Sequence, residues 1–395
     1  MITTGIICEY NPFHLGHASH IEKTRQALGG ETAIVCVMSG NYVQRGDFAV
    51  FNKHARAKMA VLSGADLVVE LPVPYVLLSA EGFARAGVYI LDKLGICDYI
   101  SFGSESGNIG VLRDAASAIA SEEAQRVTKE GLNSGMSYAS ARQKAADAVF
   151  GTRAGVFKSP NNLLGIEYIK AIDACGSSMH PLTVRRIGGE HDGDTGYSAS
   201  VLRKALVYGS VPTELMPGAA AAVCMEELVS GRGPVSMKNC EMAILSRLRA
   251  INDFSTLQGV SEGLERRFKR YATVETSLDV ILEKAKTKRY AMSRLRRMLV
   301  CAILGIRTED TQKPPPYIRV LAMNGKGKKL LGSARKKTEL PIITKPASVH
   351  RLSERAANVF RLEAASTDLY VLAYPDEGQR RGEQEWRQSP IVVEC

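Results

Sequence analysis

Residues 1–20 read MITTGIICEYNPFHLGHASH. Residues 2–8 are a short apolar, β-branched run of strand length, and Asn11-Pro12 breaks it. After Gly16 comes a polar and apolar mixture suited to a helix through about Gln26. The segment is a strand, a tight turn and a helix start. Such a unit aims free backbone N–H groups at one spot, which suits a phosphate. His14 and His17 flank Gly16, so both imidazoles can reach one anion and donate to charge that grows during phosphoryl chemistry. Ordinary surface or satisfied core histidines are the alternative reading. Of the seven histidines in the chain, however, His14, His17 and His20 all fall in this turn, which favours the functional one.

Working outward, residues 32–39 (TAIVCVMS), 66–71 (DLVVEL), 97–102 (CDYISF) and 182–187 (LTVRRI) are further strand candidates. Helical spacing over residues 53–63 and 79–94, and a mostly helical pattern over residues 107–144 and 163–173, alternates with them. Short continuous apolar strands between helices predict a doubly wound parallel sheet, with ligands at the C-terminal ends of the strands. At those ends lie Ser39-Gly40-Asn41, Gln44-Arg45-Gly46, Glu70 and the loop Gly103 to Gly107. Each is either a standard loop residue or a ligand contact. Ser159 or Asn161 can cap the helix that follows, and an asparagine in that helix-opening turn can equally read an adenine or ribose edge.

From about Val211 the composition changes to helical stretches at residues 215–229, 239–252 and 277–304. The run Pro314-Pro315-Pro316 then opens a small α/β finish: YIRVLAM as a strand, residues 326–337 as a basic helix, LPIITK as a strand, then a helix and a last strand, DLYVLAY. The expected division is 1–210 as a nucleotide-binding sheet domain, 211–312 as a largely helical basic domain and 313–395 as a small C-terminal α/β part.

Composition is that of a globular chain, 45% hydrophobic and 23% charged, with no apolar run near the length that spans a bilayer. Met1 leads directly into the first strand, so a cytoplasmic protein with no membrane partner is expected. The eight cysteines include no CxxC pair, and no zinc or other metal site is expected from them. The net charge of +10 is local: residues 264–337 hold 20 Lys and Arg against 6 Asp and Glu, and the rest of the chain 31 against 35. Lys288, Arg289, Arg294, Arg296, Arg297, Lys326, Lys328 and Lys329 belong to this stretch, with Phe268, Tyr271, Tyr290 and Tyr317 interleaved. Either this is a solvated helix face or it neutralises phosphates and stacks unpaired bases. The missing carboxylates favour binding of a polyanion, a role that single-stranded RNA would suit.

NPFHLGH resembles the HxGH signature of the nucleotidylyltransferase superfamily, in which the histidines and glycine hold the nucleotide triphosphate. That superfamily's second signature is a serine-rich S-[ST]-x-x-R at a helix start, and SASVLR (residues 198–203) occupies that position. By itself the segment is a plain cap followed by a solvated arginine, or a hydroxyl, N–H and guanidinium gathered on one anion. No lysine-rich KMSKS-type loop of the class I aminoacyl-tRNA synthetases is present.

Longer blocks carry a narrower likeness. With EYNPFHLGH, MSGNYVQRGDFAV, GADLVVELP, FGSESG, KSPNNLLG and KRYAMSRLRRML followed by PPYIRVLAMN, the chain resembles the bacterial tRNA(Met) cytidine acetate ligase family through most of its length. The resemblance implies ATP-dependent activation of acetate as acetyladenylate with release of pyrophosphate. Transfer of the acetyl group to the exocyclic amine of the wobble cytidine of elongator tRNA(Met) follows. It implies ATP contacts at Ile7, Cys8, Glu9, Tyr10, Asn11, Pro12, Phe13, His14, Leu15, Gly16, His17, Ala18, Ser19 and His20. Further ATP contacts are implied at Gly103, Asn162, Arg186, Ser198 and Ser200, with His14, His17 and Arg203 as the catalytic set. Ser200 stands where threonine is common, which keeps the hydroxyl. Mg2+ is expected to arrive with ATP, since no carboxylate cage is visible in the sequence. Two other readings stand beside this one: a metabolite adenylyltransferase, which would have no need of the basic second half, and an RNA-binding protein with a relic nucleotide site.

Overall fold

The computed structural model describes residues 1–186, 199–260 and 263–394. Ser198 therefore lies outside the described residues. Among the described residues the strands are β1 (Thr3–Cys8), β2 (Ala33–Ser39), β3 (Tyr42–Val43), β4 (Asp47–Phe48), β5 (Leu67–Leu71), β6 (Tyr99–Ser104), β7 (His180–Arg185), β8 (Ile318–Met323), β9 (Ile342–Ile343) and β10 (Ile391–Val392). Every residue of β2 and β5 is buried, which is why their sequences run apolar without alternation.

The main sheet runs β10-β8-β5-β2-β1-β6-β7, with β9 on β8. β5, β2, β1, β6 and β7 are mutually parallel. The chain leaves β1 through the helix Leu15–Leu28 to β2, then through Lys53–Leu62 to β5, and returns to the other side of β1 as β6. The order thus reverses between β1 and β6, and the turn after β1 sits at that switch point, where doubly wound sheets bind ligands. Gly5 lets the helix Ala80–Leu94 lie directly on β1: a Cβ there would come within 2.5 Å of the Leu91 side chain.

The C-terminal segment does not form a sheet of its own. β8 pairs antiparallel with β5, and β9 and β10 pair parallel with β8, so residues 313–395 extend the N-terminal sheet. DLYVLAY is not a strand: it closes the helix Glu354–Val371 and the turn after it. That helix is buried on several sides, through Ala356, Val359, Phe360, Ala364, Leu369, Tyr370 and Val371. Burial all round removes the polar stripe that marks a helix in sequence. Residues 277–304 form two helices, Leu278–Ala285 and Met292–Leu304, rather than one.

The helical region shares a core with the rest. Tyr42 and Phe48 of the β3–β4 hairpin pack with Leu295, Met298 and Leu299 of the helix Met292–Leu304 and with Tyr370. Phe268 and Tyr317 are wholly buried and Tyr290 nearly so. These three rings are therefore core, not platforms for unpaired bases as their spacing suggested.

Candidate active site

The turn after β1 is built by side chains that cap one another. His14 is the N-cap of the helix Leu15–Leu28, and its Nδ1 accepts from the Gly16 N–H at 3.0 Å. His17 Nδ1 accepts from the His14 N–H at 3.2 Å, completing a capping box with histidine in both positions. Both Nδ1 atoms are thereby acceptors, so each ring carries its proton on Nε2. The rings stack with centroids 3.7 Å apart. Tyr10 sits at φ 44°, in the left-handed region, with its ring 4.7 Å from Phe13 and 4.8 Å from His17. Such a conformation in a bulky residue costs free energy and persists only where its surroundings enforce it. Ile7, Tyr10 and Phe13 are buried, so their side chains support the turn from beneath.

The histidines are neutral. Burial, then the Arg186 and Arg203 guanidiniums, lower His14 to about 4. Burial with His14, Arg186 and His20 holds His17 well below the usual range. His20, lowered to about 4 by burial and Arg186, bonds through Nε2 to Ser101 Oγ of β6 at 2.9 Å. It fixes the first helix to β6 across the switch point.

Two arginines flank the turn. Arg203, on the helix Ala199–Val207, donates to the Asn11 carbonyl at 2.7 Å, so the second motif meets the first. Ser200, in the first turn of that helix, is exposed. On the other side Arg186 follows β7 and packs against Gly103 of β6, where a Cβ would lie 3.0 Å from its Cγ. Arg186 also donates to Asn161 Oδ1 at 3.1 Å. Glu105 accepts from Asn161 Nδ2 at 2.7 Å and from the Asn162 N–H at 2.9 Å, while buried Asn162 accepts from the Ser106 N–H at 3.0 Å. These bonds lock the FGSESG and PNN segments together beside the turn.

Beneath the turn lies a charged cluster the sequence did not reveal. Arg56, fully buried, donates to the carbonyls of Phe51 at 2.9 Å and Ser39 at 3.1 Å, and also to those of Glu9 and Gly40, just beyond β1 and β2. Lys53 Nζ lies 2.7 Å from Glu70, 3.0 Å from Glu363 and 2.6 Å from Glu385. Burial opposes its charge, but the three carboxylates outweigh burial and raise its pKa. Glu385 is held down to about 2: burial works against ionisation, but Lys53 and Arg319 overcome it. Two of these carboxylates come from the C-terminal segment, which is thereby tied to the nucleotide end of the sheet.

The basic residues divide between two places. Gly46, at φ 77° in the β3–β4 hairpin, sits so close to the helix Met292–Leu304 that a Cβ would fall 2.3 Å from the Arg297 nitrogen. Arg296 pairs with Asp47 at 3.2 Å. The same hairpin reaches the turn through the Gln44 N–H, which donates to Glu9 Oε1 at 2.6 Å. Arg296 and Arg297 are therefore linked through the hairpin to Glu9, just before the HxGH turn, and Lys288, Arg289 and Arg294 precede them in the chain. Lys326, Lys328 and Lys329 do not. Because β8 runs against β5, Met323 pairs with Leu67, and Asn324 bonds to Asp66 at 3.0 Å. The helix Gly325–Ala334 thus begins at the opposite end of the parallel strands, with Lys326 donating to the Glu31 carbonyl at 2.7 Å.

A doubly wound sheet carrying an HxGH turn at its switch point defines a nucleotidyl transferase, and the family described as HIGH Nucleotidyl Transferase matches residues 1–385. Curated relatives called tRNA(Met) cytidine acetate ligase include one from Acetivibrio thermocellus, 36% identical and aligned over all of both chains. Another, from Caldicellulosiruptor saccharolyticus, is 38% identical over all of this chain and 99% of its own. The chain belongs to the tRNA(Met) cytidine acetate ligase family. Crystal structures of Thermotoga maritima TmcAL, 32% identical and covered end to end, superpose with TM-scores of 0.93 for the form bound with alpha-thio ATP and 0.94 for an apo form.

Proposed function

We propose that this protein joins acetate to elongator tRNA(Met) at the wobble cytidine in two steps, in the cytoplasm. The observation that carries the reading is the reciprocal cap of His14 and His17, which leaves two neutral Nε2–H donors at the switch point between Arg186 and Arg203. The full-length kinship selects acetate and tRNA from among the reactions such a site can serve.

In the first step an acetate oxygen attacks the α-phosphorus of ATP, forming the acyl phosphate bond as the bond to pyrophosphate breaks. His14, His17 and the N–H groups opening the first helix bind the phosphates, and Arg203 stabilises charge on the phosphoryl oxygens. Gly103, Asn162, Arg186 and Ser200 complete the ATP contacts. Preorganised donors act here by electrostatics and position, without a covalent intermediate on the protein. In the second step the cytidine amine attacks the acetyl carbon, AMP departs with the bonding pair, and the amine loses a proton. Mg2+ is carried by the phosphates of ATP in this reading. Among the described residues no group of three or more His, Cys, Asp or Glu could hold a metal ion.

The tRNA approaches over Lys288, Arg289, Arg294, Arg296 and Arg297, of which the last two pack on the hairpin that reaches Glu9, while Lys326, Lys328 and Lys329 meet it only if it wraps to the far end of the sheet. Acetate-dependent formation of AMP and pyrophosphate from ATP tests the first step. Pyrophosphate released from ATP only when some other small acceptor replaces acetate would mark a metabolite adenylyltransferase instead.

A further inference from the structure

The β3–β4 hairpin joins the nucleotide turn to the basic helical surface, and its tip residue has no role so far. Every neighbour of Arg45 in the hairpin is anchored. The Gln44 N–H donates to Glu9 Oε1 at 2.6 Å and its side chain to the Leu78 carbonyl at 3.2 Å. Gly46 abuts the backbone of Arg296 and Arg297, Asp47 pairs with Arg296, and Tyr42 and Phe48 are core. Arg45 alone in this run is exposed, and among the described residues no carboxylate pairs with it. A rigid hairpin thus holds an arginine in solvent between the first motif and the basic helix. Its charge is felt at Glu9 and at Arg203, the outer side of the turn.

Resting on the reading above, we infer that Arg45 is an RNA-positioning residue: its guanidinium grips a backbone phosphate next to the acceptor nucleotide and sets that nucleotide over the acetyladenylate. An arginine suits this role because its planar fork meets phosphate oxygens in a defined orientation, and phosphate contacts fix register without reading sequence. The anchors at Glu9 and at Arg296–Arg297 make the distance between the phosphate grip and the nucleotide turn a fixed property of the fold.

The test measures tRNA binding by filter retention across a salt series, and acetate-dependent pyrophosphate release without tRNA, for wild type, Arg45→Ala and Arg45→Lys. Arg45→Ala is expected to weaken tRNA binding about tenfold and to lower the salt slope by about one, with Arg45→Lys in between. The ATP dependence of pyrophosphate release is expected to stay as in wild type. Unchanged tRNA affinity and salt slope would overturn the inference. So would a raised KM for ATP without tRNA, which would make the bound phosphate that of the nucleotide. Wild type that binds tRNA but releases no pyrophosphate with acetate would sink the reading of function and this inference with it.

Discussion

Replacing His17 separates the capping role the structure gives its ring from the phosphate role proposed above. Nδ1 accepts from the His14 N–H at 3.2 Å and so closes the cap, while Nε2–H is the donor proposed for phosphate. Loss of a capping side chain costs about 1 kcal/mol of stability. Loss of one preorganised donor to developing oxyanion charge costs about 10²–10³ in rate, or roughly 3–4 kcal/mol of barrier. His17→Ala is therefore expected to unfold only slightly earlier in denaturant, yet to slow acetate-dependent pyrophosphate release by at least about a hundredfold. His17→Gln is the discriminating partner. A glutamine three residues after the N-cap can reach back to the N-cap N–H and rebuild the box, but it lacks the imidazole. Recovered stability with persistent slowness is expected. Near-wild-type rates in His17→Ala, which has no side-chain donor, would refute the phosphate role and leave His17 as a cap alone.

Because His14 is lowered to about 4 and His17 lies well below the usual range, their neutral donor form persists as pH falls. Acetate-dependent adenylation should stay level from pH 8 to about 5, and an acid limb centred near the ordinary histidine pKa of about 6.5 would contradict this. The same groups, with His20 at about 4, take up protons in the unfolded chain first. Each should remove up to about 1.4 kcal/mol of stability per pH unit as pH falls from about 6.5 towards its folded pKa, as thermal melts would show. Lys53→Met strands Glu70, Glu363 and Glu385 without their shared cation. A loss of about 3–5 kcal/mol in denaturant unfolding is expected, and one below about 1 kcal/mol would mean the cluster rearranges freely. Neutralising Lys288, Arg289, Arg296 and Arg297 together should weaken tRNA binding while sparing adenylation. Neutralising Lys328 and Lys329 at the far end of the sheet should cost tRNA binding less, and the reverse order would move the RNA path.

The legible parts of this chain were those whose signal is local. Residues 1–20 showed strand, turn and helix because β-branched residues, Asn11-Pro12 and Gly16 act within a few positions of one another. β2 and β5 were equally plain as continuous apolar runs. What the sequence hid depends on neighbours distant in the chain. Lys53 and Arg56 lie in a stretch whose spacing showed a helix and no more, whereas partners up to Glu385 bury them. The pairing of β8 with β5, more than two hundred residues apart, has no local mark. DLYVLAY reads as a strand because its helix is covered on several sides, and Phe268, Tyr290 and Tyr317 read as RNA platforms because burial cannot be told from exposure by spacing. Of the site itself, the clustering of His14, His17 and His20 in one turn was legible, but the reciprocal cap of His14 and His17 and the resulting tautomers required the geometry.

The most direct measurement is the conversion of radiolabelled acetate into acid-insoluble RNA, with ATP, Mg2+ and total bacterial tRNA, followed by nucleoside analysis. Label in N4-acetylcytidine of tRNA(Met), absent when either ATP or acetate is omitted, is the expected result. RNA that stays unlabelled while ATP still yields pyrophosphate with another small acceptor would contradict the ligase assignment.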